Sequence, residues 1–198
     1  MKTTYLRGIA ALLLAGLAGS AAAHTGHGTE SFYTGLAHPF GLDHVLAMVA
    51  VGLWSVFALP VGRAWMGPAT FMGALVVSAA VGASGVSLPF LEVAIAASVV
   101  VFGAMLILAT RQLPAGLGLA LVAMAASLHG LAHGAESPGA SGFASYAAGF
   151  LLTTAGLHFG GVFAGLSVRR WWARRTTQVL GGLGLVCSGA GVYLLSQF

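Results

Sequence analysis

The chain has 198 residues, of which 58% are hydrophobic and 6% charged, and its mean hydropathy is +0.94. A soluble domain carries about 25% charged residues, so a water-soluble enzyme or binding module is excluded and an integral membrane protein is expected. The net charge of +4 and pI near 9.9 would suggest a nucleic-acid binder only if the distribution of the basic residues were ignored, and they follow membrane topology instead.

Residues 1–23 read as a secretory signal. Lys2 and Arg7 make a basic start, residues 9–18 a short apolar stretch, and Ala21-Ala22-Ala23 a small-residue cleavage site. The alternative is an uncleaved first helix, although the apolar part is short for a span of about 20 residues. Cleavage would leave residues 24–198 as one transmembrane domain. The tail that follows, His24-Thr25-Gly26-His27-Gly28-Thr29-Glu30, reads in two ways. It is a solvated tail, or a weak grip on a divalent metal by His24, its free amine and His27.

Six apolar segments follow, at about 36–59, 65–84, 89–110, 114–134, 143–167 and 177–195. Each is long enough to span as a helix, which satisfies its own backbone hydrogen bonds in lipid. The joins are short and carry helix breakers such as Pro60, Gly62, Gly85, Pro114 and Pro138. The expected architecture is therefore all-α: a compact, antiparallel, six-helix transmembrane bundle. The paired histidine motifs of spans one and four hint at two related halves, but the surrounding residues match poorly. A single cysteine, Cys187, allows no internal disulfide.

A cleaved signal would leave residue 24 outside, so span one would run inward. Arg63, Arg111, Arg169, Arg170, Arg174 and Arg175 then all fall in inner joins and none in outer ones. This is the positive-inside bias. The expectation is a multi-pass inner-membrane protein with both mature termini periplasmic. The basic run with Trp171 and Trp172 suits a topology anchor at the headgroups.

Polar side chains are scarce, so those that occur in the spans are candidates for function. The first group is His38-Pro39-Phe40-Gly41-Leu42-Asp43-His44, with Met48 four residues further on. Pro39 fits the first turn of a helix, with His38 at the cap and Asp43 and His44 about one turn down. Asp43 is either a ligand or a carboxylate that orients a ligating imidazole. Met48 reads as packing before soft ligand.

The second group is Ser127-Leu128-His129-Gly130-Leu131-Ala132-His133-Gly134-Ala135-Glu136. His129, His133 and Glu136 are spaced to share one helix face. Imidazole suits zinc, copper, iron and nickel. Both groups fall at the outer ends of their spans and so share a depth. His158, well inside span five among Thr153, Thr154 and glycines, is either a satisfied core histidine or a further ligand. Gly161 and Gly165 form a GxxxG helix-packing face. Glu92, near the outer end of span three, is either a ligand or a headgroup-level residue.

These motifs, the Leu157-His158 region, the leader and the six-span layout resemble the HupE/UreJ family of bacterial nickel/cobalt transporters, over essentially the whole chain. The resemblance implies uptake of Ni²⁺, and of Co²⁺ as a second substrate, to supply hydrogenase or urease maturation, with a nickel metallochaperone or maturation factors as partners. It implies metal roles for His38, Asp43, His44, His129, His133 and Glu136, and strengthens that of His158.

The expected mechanism is a permease. Metal would shed water into an outer site from spans one and four, with His158 a deeper stop. Several weak sites release an ion better than one tight cage. Neutral imidazole is the ligand, so protons should compete near pH 6. No P-loop is seen, so the driving force would be an ion gradient, the membrane potential or trapping. The rivals are a membrane zinc hydrolase, with Asp43 or Glu136 as general base, and a metal-sensing or metallochaperone-docking membrane protein.

Overall fold

The computed structural model describes residues 31–111, 114–135 and 143–198. The leader, His24, His27 and Glu136 lie outside these. Among the described residues the protein is all-α. Helix α1 covers Phe32–Ala37 and leads through a short 3-10 turn, His38–Phe40, into α2, Leu42–Ala58. Then follow α3 (Met66–Ala83), α4 (Leu91–Leu108), α5 (Ala115–Ala135), α6 (Phe143–Trp171) and α7 (Thr176–Leu195). Five helices are long and apolar enough to cross a membrane, or six if α1 and α2 together count as one span. The protein is a polytopic membrane protein.

The first expected span is not one straight helix. Its two parts meet at 76°, with the break between Phe40 and Leu42. The reason is local. Pro39 has no N–H to give to a helix, and Gly41 is extended at φ −56° and ψ 143°. Pro39 therefore opens a 3-10 turn rather than α2, and Asp43 sits in the first turn of α2 itself. Helix α1 is held at both ends. Ser31 and Thr34 form a reciprocal cap, with Ser31 N–H donating to Thr34 Oγ1 at 2.9 Å and Thr34 N–H to Ser31 Oγ at 3.3 Å. At the other end Thr153 of α6 donates to Leu36 O at 2.9 Å, satisfying a carbonyl that a helix end leaves open.

Lipid is as apolar as leucine, so these helices associate through close packing rather than water exclusion. The closest seams run between α3 and α5, α4 and α7, and α2 and α6. Glycine makes each seam possible. A Cβ at Gly130 or Gly134 of α5 would collide with the α3 backbone at Leu75 or Ala79. A Cβ on Gly161 of α6 would strike Val49 O, and one on Gly165 would come within 2.9 Å of the Val56 side chain, both on α2. The GxxxG pair is thus a packing face, as expected. The core between the seams holds Met48, Val51, Phe71, Phe102 and Val122, all at most 1% exposed.

The helices alternate in direction, so the start of α2, the end of α5 and the start of α6 share one end of the bundle. The arginines among the described residues lie at the other: Arg111 lines a hollow with Trp54 and Ala58 at the end of α2, and Arg169 lines one with Pro60 and Trp65.

Candidate metal site

At the end away from the arginines, three imidazoles come together from two segments far apart in sequence. His44 Nε2 lies 2.7 Å from His133 Nε2. The His38 ring stands 4.7 Å from that of His133 and 5.7 Å from that of His44, centroid to centroid. The His129 ring, one turn below His133, is 4.9 Å from that of His44. Donor atoms of His38, His44 and His133 lie within 4.8 Å of one another, and so do those of Asp43, His44 and His129. His44 belongs to both trios.

Local structure explains the convergence. Packing of α1 on α6 through Gly35 and Gly149 carries His38 against Tyr146 and Phe150. The bend then returns the chain so that α2 begins beside α5. On α5, His129 and His133 are four residues apart and share the face toward α2. Phe150 closes the other side of His133, with ring centroids 4.7 Å apart.

The hydrogen bonds assign which nitrogens are open. A neutral imidazole has one donor and one acceptor, so between His44 and His133 one ring donates to the other. The far nitrogen of His44, Nδ1, is 2.9 Å from Asp43 Oδ2, close to the carboxylate but not aligned as a hydrogen bond. Carboxylates commonly hold ligating imidazoles from that side. On His129, Nε2 is 3.3 Å from Ser98 Oγ. The Ser98 hydroxyl already donates to Ile95 O at 2.7 Å, so its oxygen accepts from His129 Nε2–H. That leaves His129 Nδ1 an unprotonated, buried nitrogen with no partner. The Nδ1 of His133 is also buried without a partner.

Two imidazole ligands on a metal with bonds of about 2.0–2.1 Å stand roughly 3 Å apart or more. The 2.7 Å between His44 and His133 therefore needs to open by only a few tenths of an ångström to admit an ion. The arrangement can bind a borderline first-row cation and can exchange it for a shared proton.

His158 is not brought into either trio. It is fully buried on α6, and its Nδ1–H donates to Thr154 O at 2.8 Å. A carbonyl only accepts, so Nε2 is the unprotonated nitrogen, and it too lacks a partner. The Thr154 hydroxyl beside it is likewise buried and unpartnered. Glu92 is half-buried in the first turn of α4 and belongs to neither trio. Met48 is fully buried within the apolar core.

Two contributors were not singled out from the sequence. Ser98, which accepts a hydrogen bond from the His129 ring, is one of few polar side chains in its span, and that scarcity is the signal that could have found it. Phe71 packs on both His129 and His158, with centroids 5.9 and 4.7 Å away. Nothing in its sequence context marks it.

The comparisons with known proteins agree with this architecture. The family model described as HupE / UreJ protein matches residues 12–194. A curated relative, Protein HupE of Rhizobium leguminosarum bv. viciae, is 38% identical over 141 residues, covering 71% of this chain and 73% of that protein. No solved structure matches significantly. With its match running through nearly every helix, the chain belongs to the HupE/UreJ family.

Proposed function

We propose that this protein is a permease that carries Ni²⁺, with Co²⁺ as a second substrate, from the periplasm across the inner membrane into the cytoplasm. The observation that carries the reading is the convergence of His38, His44 and His133, with Asp43 and His129, at the bundle end away from the arginines. The positive-inside bias makes that end the periplasmic one. In this reading His38 and His133 receive the ion. His44 passes it between the two trios, with Asp43 orienting the His44 ring. His129 holds it deeper, and Glu136, which lies outside the described residues, is a further candidate ligand from its sequence spacing.

His158 Nε2 is the next nitrogen inward. A series of partial sites favours release over retention. An inward divalent cation gains about 4.6 kcal/mol at 100 mV, from roughly 2.3 per charge, which suffices without a coupled proton. The metal goes on to metallochaperones and to hydrogenase or urease maturation.

The test is radioactive nickel accumulation in proteoliposomes holding the purified protein and an inside-negative potential. Accumulation above empty liposomes, lost in His44→Ala and His133→Ala, is expected. Nickel binding without flux in the intact protein would contradict the proposal.

A further inference from the structure

Two buried imidazoles, each with an unpartnered ring nitrogen, pack on one aromatic ring. One is His129, whose Nδ1 has no partner, and the other His158, whose Nε2 has none. The ring is Phe71 of α3, fully buried, 5.9 Å from the His129 ring and 4.7 Å from that of His158, centroid to centroid. Phe102 of α4 supports it at 6.5 Å.

Resting on the permease reading, we propose that Phe71 is the barrier residue of the ion path, an apolar plug that separates the outer imidazole cluster from His158. The chemistry points this way. A partly hydrated cation held by His129 meets a benzene ring with no lone pair to replace its water, and an apolar constriction of this kind blocks conduction by dewetting. Each orphaned nitrogen is buried and unprotonated, a condition that costs free energy unless a ligand occupies it part of the time. If His158 were a simple core histidine, its second nitrogen would be expected to meet a polar partner. It meets Phe71.

Passage therefore requires the Phe71 side chain to swing away. Phe71 carries no ligand atom for the ion, so it should govern the rate of passage between the two regions.

The test is the accessibility of position 158. His158→Cys is made in a Cys187→Ser background, and a small cationic methanethiosulfonate is added to the His38 side of sealed vesicles. With Phe71 in place, labelling should be slow. Adding Phe71→Ala should speed it at least tenfold. Phe71→Leu keeps most of the apolar volume and should give an intermediate rate, which covers a failure of the alanine variant to fold.

Equal labelling rates with Phe71 and with either folded variant would overturn the proposal. The readout does not depend on transport. Fast labelling in a protein that moves no nickel would therefore refute the permease reading and leave the barrier standing. Nickel flux with unchanged labelling would do the reverse.

Discussion

Around His44, four further polar side chains from the 3-10 turn, α2 and α5 converge, and every imidazole has another within reach. Around His158 a single imidazole stands among Thr154 and Phe71, held by one bond to the backbone of its own helix. Both regions are buried, and both present unpartnered nitrogens. They differ in redundancy. In the proposed permease the first would supply enough ligands to replace the water of a divalent cation, and the second enough to receive it briefly and let it go. A transport path needs that asymmetry, since capture and release make opposite demands on affinity.

The largest expected effect breaks the comparison at its shared member. His44→Ala removes a ligand from both trios at once. Nickel affinity, measured by calorimetry in detergent, should fall by more than the ~10–100-fold typical of a lost supporting partner. His158→Ala in the same assay should change affinity far less, yet abolish flux. Equal losses in the two variants would erase the distinction between the regions.

A smaller effect tests what Asp43 does. Asp43→Asn keeps the shape and removes the charge beside His44 Nδ1. If the carboxylate orients the ring, affinity should drop by about 10–100-fold with the same number of nitrogen ligands on the bound metal. If the number of oxygen ligands falls instead, Asp43 is a direct ligand. The smallest effect concerns Ser98. Ser98→Ala removes one hydrogen bond to His129, worth about 0.5–1.5 kcal/mol, so titration should show a loss of roughly 2- to 10-fold. An unchanged affinity would mean that packing alone orients that ring.

Much of this was legible in the sequence because the bilayer leaves few choices. Apolar length marks the spans, and α3, α4, α5 and α7 lie within two residues of their expected ends. The two histidine groups stood out for the same reason: polar groups at membrane depth are rare. Helical spacing put His129 and His133 on one face, and span direction put both groups at one end. What could not be read was the angle at Gly41. Pro39 and Gly41 announced a break, but the 76° between α1 and α2 depends on α1 docking on α6 through Gly35, Gly149 and Thr153, a contact between residues more than a hundred positions apart. Phe71 was invisible for a related reason. An aromatic residue in an apolar span is ordinary until its neighbours are known.

The most direct measurement is X-ray absorption at the nickel edge of the purified, nickel-loaded protein and of His44→Ala and His133→Ala. A metal bound by several imidazoles, with imidazole scattering reduced in both variants, is the result predicted by a site shared between α2 and α5. A nickel environment without imidazole, or one unchanged in both variants, would contradict it.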